Sequence, residues 1–290
     1  MSVMNLVKEL REKSGAGILD CKKALEANDN DIEASLTWLR EKGIASAGKK
    51  ADRIAAEGLA KIAIDGNFAA ICEINAETDF VAKNEMFLDV VDTVTNAILA
   101  SKPANMEEAL KIDVAGETLE TYMATKQAII GEKLTFRRFE VIEKTSTQTF
   151  GDYLHQGGRI AVLSVVEGDS YEAARESSMQ VAAMGAKFVS SADVDQASLD
   201  AEREILRTQA LNEGRPENIV DKMVEGRMRK YFEEVCLKEQ KYFKNPEQTM
   251  DQFTKSLGCE ILSFVTYTVG EGIEKKEDNF AEEVMSQARM

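Results

Sequence analysis

Two segments of the chain share one pattern of apolar residues. The segment RIAVLSVVEGDSYEAARESSMQVAAM aligns with FAAICEINAETDFVAKNEMFLDVVDT at an offset of 91 residues. Few residues are identical, but apolar or aromatic positions coincide: Ile71 with Val162, Ile74 with Val165, Phe80 with Tyr171, Ala82 with Ala173 and Val90 with Val181. A repeated pattern indicates a repeated structural unit, because each copy has the same face to bury. We therefore expect two related halves.

The apolar pattern of each half predicts strands and a helix. In the first half, two strand-like runs flank Asp65-Gly66, which is a hairpin turn signal. An amphipathic helix follows, with five apolar residues on one face: Phe87, Val90, Val91, Val94 and Ile98. Residues 104–130 are predicted to be mainly helical and 132–143 to form a third strand. Residues 259–269 would be the closing strand of the second half. The predicted class is α+β with antiparallel sheets.

The N-terminal 42 residues carry three short helical patterns. Asp31 is a candidate N-cap of the third helix, and Gly43 is a candidate stop signal. Three helices of this size enclose a very small core, so the module is expected to lean on a partner or on the rest of the chain. A basic, alanine-rich linker is predicted over residues 44–57.

An insertion is predicted in the second half, between its helix and its closing strand. Residues 193–232 carry two helical patterns interrupted at Gly214-Arg215-Pro216, where Gly ends one helix and Pro begins the next. We expect an antiparallel helical hairpin. A last short helix is predicted over 279–289. The expected domains are 1–53, 54–143, 144–275 and 276–290.

Composition narrows the function classes. The formal net charge of -15 over 290 residues disfavours nucleic acid as a direct ligand, since a nucleic-acid binder needs a positive face. The four cysteines are far apart and form no CxxC pair, as expected in a reducing cytoplasm. The sequence predicts neither a membrane span nor a signal peptide. We expect a cytoplasmic protein.

Motifs of catalysis are not evident in the sequence. It lacks the GxxxxGK[ST] and GxGxxG phosphate loops and the GxSxG nucleophile motif. A single histidine, His155, cannot form a metal cluster and is a weak candidate for a catalytic base. The chain is therefore interpreted as a binding protein without enzymatic activity, cofactor or metal.

The stretch AETDFVAKN, at residues 76–84, leaves two interpretations open. Thr78 is a good N-cap, and Asp79 suits the first turn of a helix. Phe80 precedes Phe87 by seven residues and could share its buried face, or it could reach into another molecule. Tyr171, at the matching place of the second half, follows Ser170 and is expected to serve mainly the fold.

Six motifs in order carry a resemblance over nearly the whole chain: SGAGILDCKKALE, DIEASLTWLREKG, ETDFVAKNEMF, YLHQGGRIAVL, GRPENIVDKMVEGRMRKYFEEVCL and VGEGIEK. Together they resemble the bacterial elongation factor Ts family. The resemblance implies a guanine-nucleotide exchange factor that binds elongation factor Tu carrying GDP, expels GDP and lets GTP enter. It also implies a UBA-like (ubiquitin-associated-like) N-terminal module, two related core halves, an inserted antiparallel coiled coil and a C-terminal module.

The resemblance also implies residue roles. The family segment TDFV, which intrudes beside the magnesium and nucleotide site of the partner, maps onto Thr78, Asp79, Phe80 and Val81. The family histidine motif maps onto His155, Gly157 and Gly158, followed by Arg159. The N-terminal contact maps onto Gly15, Ile18 and Leu19, where the apolar pair is often methionine in the family.

Two other function classes remain open at this stage. One is an acidic adaptor whose three-helix module binds other proteins without exchange activity. The other is a hydrolase built on carboxylates, of which the sequence offers many. Stimulated release of GDP from elongation factor Tu would separate exchange from the adaptor, and turnover of a substrate would support the hydrolase.

Overall fold

The computed structural model of the protein describes residues 3–14, 16–49 and 52–274, without the side chains of 43–49 and 218. By its internal contacts the chain divides into two units. The first contains residues 1–59, 72–139 and 269–290, and the second contains 60–71 and 140–268. Both mix helices with antiparallel strands, which confirms the α+β class. The predicted last helix, 279–289, lies outside the described residues, and the predicted domain limits remain predictions.

Three helices open the first unit: α1 (Val3–Ser14), α2 (Ile18–Ala27) and α3 (Ile32–Lys49). Their small core consists of Leu10, Cys21, Ala24 and Leu25. Asp31 caps α3 as predicted, because its Oδ1 accepts from the amide of Ala34 at 2.8 Å. The predicted stop at Gly43 is wrong, since α3 continues to Lys49. One glycine costs a helix only about 1 kcal/mol, which is too little to end it.

The first three-stranded sheet has the order β1-β2-β5, with β1 at Glu57–Asp65, β2 at Phe68–Ala76 and β5 at Thr135–Glu143. Its hairpin turn lies at residues 66–67, where Gly66 has a φ of 55°. This confirms the predicted hairpin. The third predicted strand is also confirmed, although it begins later than expected.

Helices of the first unit follow β2. They are α4 (Asp79–Ala82), α5 (Glu85–Ser101), α6 (Met106–Lys111) and α7 (Leu119–Ile130), and the short hairpin of β3 (Asp113–Val114) with β4 (Glu117–Thr118) precedes α7. The predicted face of α5 is confirmed, because Phe87, Val90, Val91, Val94 and Ile98 are buried. That short hairpin was not predicted.

The second unit contains a sheet of order β10-β7-β6, formed by β6 (Gln148–His155), β7 (Ile160–Glu167) and β10 (Glu260–Thr268). Both pairings are antiparallel, and His155 pairs with Ile160. Helix α8 (Tyr171–Met184) buries Ala173, Ala174 and Val181 in one core with β7. In each sheet the second strand of a hairpin is central and a later strand closes the sheet, which confirms the repeated pattern.

The register of the repeat differs from the predicted one at the strand and cap. β2 begins at Phe68 and β7 at Ile160, while the following helices are capped by Thr78 and Ser170. Both correspondences have an offset of 92, so the predicted offset of 91 is wrong there by one residue. Tyr171 consequently matches Asp79 and not Phe80.

The inserted segment forms two helices, α9 (Gln196–Asn212) and α10 (Glu217–Val235). They pack through Ala210, Val220, Val224 and Met228. Gly214 has a φ of 73°, and Pro216 directly precedes α10 as its N-cap residue, so the predicted break is confirmed. The short strands β8 (Lys241–Tyr242) and β9 (Asn245–Thr249) and helix α11 (Met250–Ser256) complete the unit. Within the described ranges, no helix is long and apolar enough to cross a membrane.

Candidate functional site

The segment Thr78–Val81 forms a single helical turn between β2 and α5. Thr78 is its N-cap, with extended backbone and a hydroxyl that accepts from the amide of Val81 at 3.3 Å. The turn ends at Lys83, and Asn84 then caps α5 by accepting from the amide of Met86 at 2.8 Å. Two N-caps six residues apart make α4 and α5 separate helices.

Phe80 is exposed, unlike Phe87. Its side chain is 82% exposed, whereas Phe87 is fully buried. Of the two interpretations left open by the sequence, the one in which both share a buried face is wrong. The spacing of seven residues places two side chains on one face only within a continuous helix, and the break at residues 83–84 interrupts the period. Phe80 is therefore a large apolar side chain on an isolated turn.

Asp79 lies beside a cation. Its Oδ2 atom is 2.7 Å from Nζ of Lys83, one helical turn further along the chain. Both side chains are accessible to solvent, so this ion pair contributes little to stability. Asp79 is also the acidic residue of the first turn, where a negative charge complements the helix dipole.

Two glutamates connect the start of the turn to the segment that contains residues 132 and 133. The carboxylate of Glu132 accepts from the amide of Thr78 at 3.0 Å and from its hydroxyl at 2.7 Å. The neighbouring Glu77 accepts from the amide of Lys133 at 2.5 Å and from Arg53 at 3.2 Å. No local pattern in the sequence points to Glu132, because 54 residues separate it from Thr78.

The N-terminal apolar pair lies at the start of α2. Ile18 is 56% and Leu19 73% exposed, as predicted for a contact surface. The buried face of the same helix consists of Cys21, Ala24 and Leu25, which leaves the pair free to contact another molecule. The third residue predicted for this contact, Gly15, lies outside the described residues.

His155 is the last residue of β6 and is half-buried. Its Nδ1 lies 3.3 Å from the hydroxyl of Tyr153. The turn that follows has positive φ at Gln156 (49°), Gly157 (68°) and Gly158 (104°), which favours glycine. Gly157 is exposed, whereas Gly158 is buried and its carbonyl accepts from the amide of Ala60 at 2.8 Å. The predicted histidine motif is thus a tight, glycine-dependent hairpin turn.

The predicted residues fall into both units. Thr78–Val81 and the pair Ile18 and Leu19 belong to the first unit, while the turn with His155, Gly157 and Gly158 belongs to the second.

Tyr171 differs from the expectation of a mainly structural side chain. It is 54% exposed, and its hydroxyl donates to Oδ1 of Asp152 at 3.1 Å. Burial raises the pKa of this phenol, and the nearby Asp152 raises it further. As the first residue of α8 directly after the cap Ser170, Tyr171 points away from the core that Ala173 and Ala174 enter. Tyr171 is therefore not a buried structural aromatic.

These features suit a protein surface that contacts another molecule. Its most distinctive element is an exposed aromatic ring on a clamped turn. Among the residues that the structure describes, no group of three or more His, Cys, Asp or Glu side chains could hold a metal ion.

A comparison with protein families specifies the class. The family model described as Elongation factor TS matches residues 77–271, which is more than half of the chain. The chain belongs to the elongation factor Ts family. Members of this family are nucleotide exchange factors for elongation factor Tu, so the chain is a translation elongation factor that takes part in protein biosynthesis. An exchange factor changes the nucleotide bound to its partner and is not an enzyme in the usual sense.

Proposed function

We propose that this protein releases GDP from elongation factor Tu by inserting the segment Thr78–Val81 beside the partner's magnesium and phosphate site. The observation that carries the proposal is the 82% exposure of Phe80 on a turn whose backbone is held by Glu132. A large apolar side chain exposed to water on a fixed support is well suited to enter a pocket of a partner. GTP then binds to the vacated site.

Displacement of the metal does not require a ligand from this chain. Mg²⁺ demands nearly ideal octahedral geometry at short distances, so small movements of its ligands weaken its binding. The exchange factor needs only to stabilise a partner conformation in which those ligands and the phosphate loop are displaced. It must bind that conformation better than the GDP-bound one, because equal affinities would shift nothing.

The free energy gained by burying one inserted side chain is not sufficient to release GDP. Burying a Phe side chain contributes about 1.5–3 kcal/mol, and each ten-fold change in nucleotide affinity requires about 1.4 kcal/mol. Phe80 therefore accounts for about a ten- to hundred-fold change in nucleotide affinity, and a wide interface must supply the remaining free energy. We assign this part to the N-terminal contact of Gly15, Ile18 and Leu19 and to the turn of His155, Gly157 and Gly158.

Finer features of the architecture belong to the same proposal. The three-helix module would be UBA-like, and α9 with α10 would form an antiparallel coiled coil. Residues 276–290 would form a C-terminal helical module. The partner would be bound in its GDP-bound and nucleotide-free states, in the cytoplasm, where elongation takes place. The net charge of -15 supports contact with protein and not directly with nucleic acid.

Two measurements test the proposal. Labelled GDP on elongation factor Tu should dissociate faster in the presence of this protein, and excess GDP with Mg²⁺ should dissociate the complex. Linkage requires both effects, because the factor by which the protein lowers GDP affinity is the factor by which GDP lowers the affinity for the protein. Equal affinity for nucleotide-free and GDP-bound partner, measured by titration calorimetry, would contradict the mechanism.

A further inference from the structure

A one-turn helix cannot hold Phe80 in place by itself. Helix α4 has four residues, and a helix of this length is unstable in isolation because nucleation fixes several dihedral angles for one hydrogen bond. Ala82 is the only buried residue within α4. The support for an exposed ring must therefore come largely from the backbone at the beginning of the turn.

We infer that Glu132 is the positioning residue that presents Phe80 to the partner. This inference rests on the proposed function of the segment Thr78–Val81. The carboxylate of Glu132 accepts two hydrogen bonds from one residue, the amide of Thr78 at 3.0 Å and its hydroxyl at 2.7 Å. Bonds to an ionised carboxylate are stronger than those between neutral groups, and two of them fix both position and orientation.

The same contact orients the cap of the turn. The single proton of the Thr78 hydroxyl is donated to Glu132, so its lone pairs are free to accept from the amide of Val81 at 3.3 Å. Without the carboxylate, this hydroxyl can rotate and donate elsewhere. Glu132 thus acts on the turn through Thr78 and does not need to touch the partner.

A second bond in the opposite direction keeps Glu132 itself in place. Glu77 accepts from the amide of Lys133 at 2.5 Å. Residues 77–78 and 132–133 thus form two short segments, each of which donates to a glutamate of the other. Residues 132–133 directly follow Gly131, which ends α7 with a φ of 89°. The chain then continues into β5. The two segments are short loops that lie next to regular elements, after β2 and between α7 and β5, so the turn has a fixed support.

The variant Glu132→Ala tests the inference in the full chain. It should lower the rate of GDP release from elongation factor Tu by about ten-fold, the effect expected for lost hydrogen bonds to a charged group. The double variant Glu132→Ala with Phe80→Ala should exchange no more slowly than Phe80→Ala alone, because a positioning residue has no effect once the positioned side chain is absent. Amide hydrogen exchange of free Glu132→Ala should show faster exchange at residues 79–82 and unchanged protection in α5.

Glu108→Ala provides a matched control. Glu108 also accepts two bonds at a helix start, from the amide of Ala104 at 3.0 Å and from Asn105 at 3.2 Å, but at α6. Its removal should leave GDP release unchanged. If Glu132→Ala and Glu108→Ala behave alike, or if the losses of Glu132→Ala and Phe80→Ala add, the positioning role is overturned. Normal exchange by Phe80→Ala would instead contradict the proposed function, so the two failures are distinguishable.

Discussion

The carboxylate of Glu73 and the guanidinium of Arg137 lie 2.9 Å apart, and Glu73 is fully buried on β2. The same carboxylate accepts from Nε of Arg138 and from the amide of Gly270 at 2.9 Å. Burial by itself raises the pKa of Glu73. The bonds from Gly270, Arg137, Asn75 and Arg138 outweigh this effect, so the pKa lies below its ordinary value of 4.5.

A lowered carboxyl pKa makes stability depend on pH. The contribution of Glu73 is complete above its unfolded pKa and is lost as pH falls through its lower folded pKa. Glu73→Gln should lower the free energy of unfolding by about 3 kcal/mol near pH 7, because the arginines lose their buried counter-charge. The difference in free energy of unfolding from wild type should narrow below the ordinary carboxyl pKa of 4.5, because the unfolded wild-type chain then takes up a proton that the folded carboxylate does not.

Urea unfolding over this pH range measures the effect. Glu107→Gln is the matched control, because Glu107 pairs with Lys111 on the exposed face of α6 and should show no such dependence. If the difference in free energy of unfolding between Glu73→Gln and wild type stays constant down to acidic pH, the electrostatic explanation is contradicted.

Leu19 should contribute to affinity and not to folding. It is 73% exposed, so Leu19→Ala should keep the melting temperature while weakening the affinity for nucleotide-free elongation factor Tu by about five-fold. Met4→Ala truncates another exposed apolar side chain of the same three-helix module and should bind normally. Calorimetric titration of wild type, Leu19→Ala and Met4→Ala measures the three affinities. Full affinity of Leu19→Ala would show that Leu19 is not part of the interface.

Tyr171→Ala should have little effect on stability, in contrast to the expectation from the sequence. The ring is 54% exposed and its hydroxyl bond to Asp152 is accessible to solvent, so we expect a loss of about 1 kcal/mol or less. Exchange should be normal. A loss of about 3–5 kcal/mol in urea unfolding, typical of a buried aromatic, would show that the ring packs in the core.

The elements that the sequence predicts correctly are those with local signals. The hairpin turn at residues 66–67, the apolar face of α5 and the cap by Asp31 each depend on residues a few positions apart. The exposed positions of Ile18 and Leu19 follow in the same way, since α2 already has its buried face on Cys21 and Leu25.

The features that the sequence does not predict depend on contacts between distant residues. Strand β6 has a weak local signal, because Gly151 lies in its middle and glycine is unfavourable inside a strand. The structure explains that glycine, since a Cβ there would lie 2.1 Å from the backbone of Ala174 on α8. The exposure of Phe80 depends on the break between α4 and α5, and the support from Glu132 depends on a loop 54 residues away. Neither leaves a periodic signal.

The central claim concerns Phe80, and one paired measurement tests it most directly. Thermal melting and the rate of GDP release from elongation factor Tu are compared for wild type, Phe80→Ala and Tyr171→Ala. Because Phe80 is 82% exposed, Phe80→Ala should melt within a few degrees of wild type. Its exchange should fall by about ten-fold or more, as expected for an interface hot spot, while Tyr171→Ala exchanges normally. A Phe80→Ala protein that releases GDP at the wild-type rate would contradict the account.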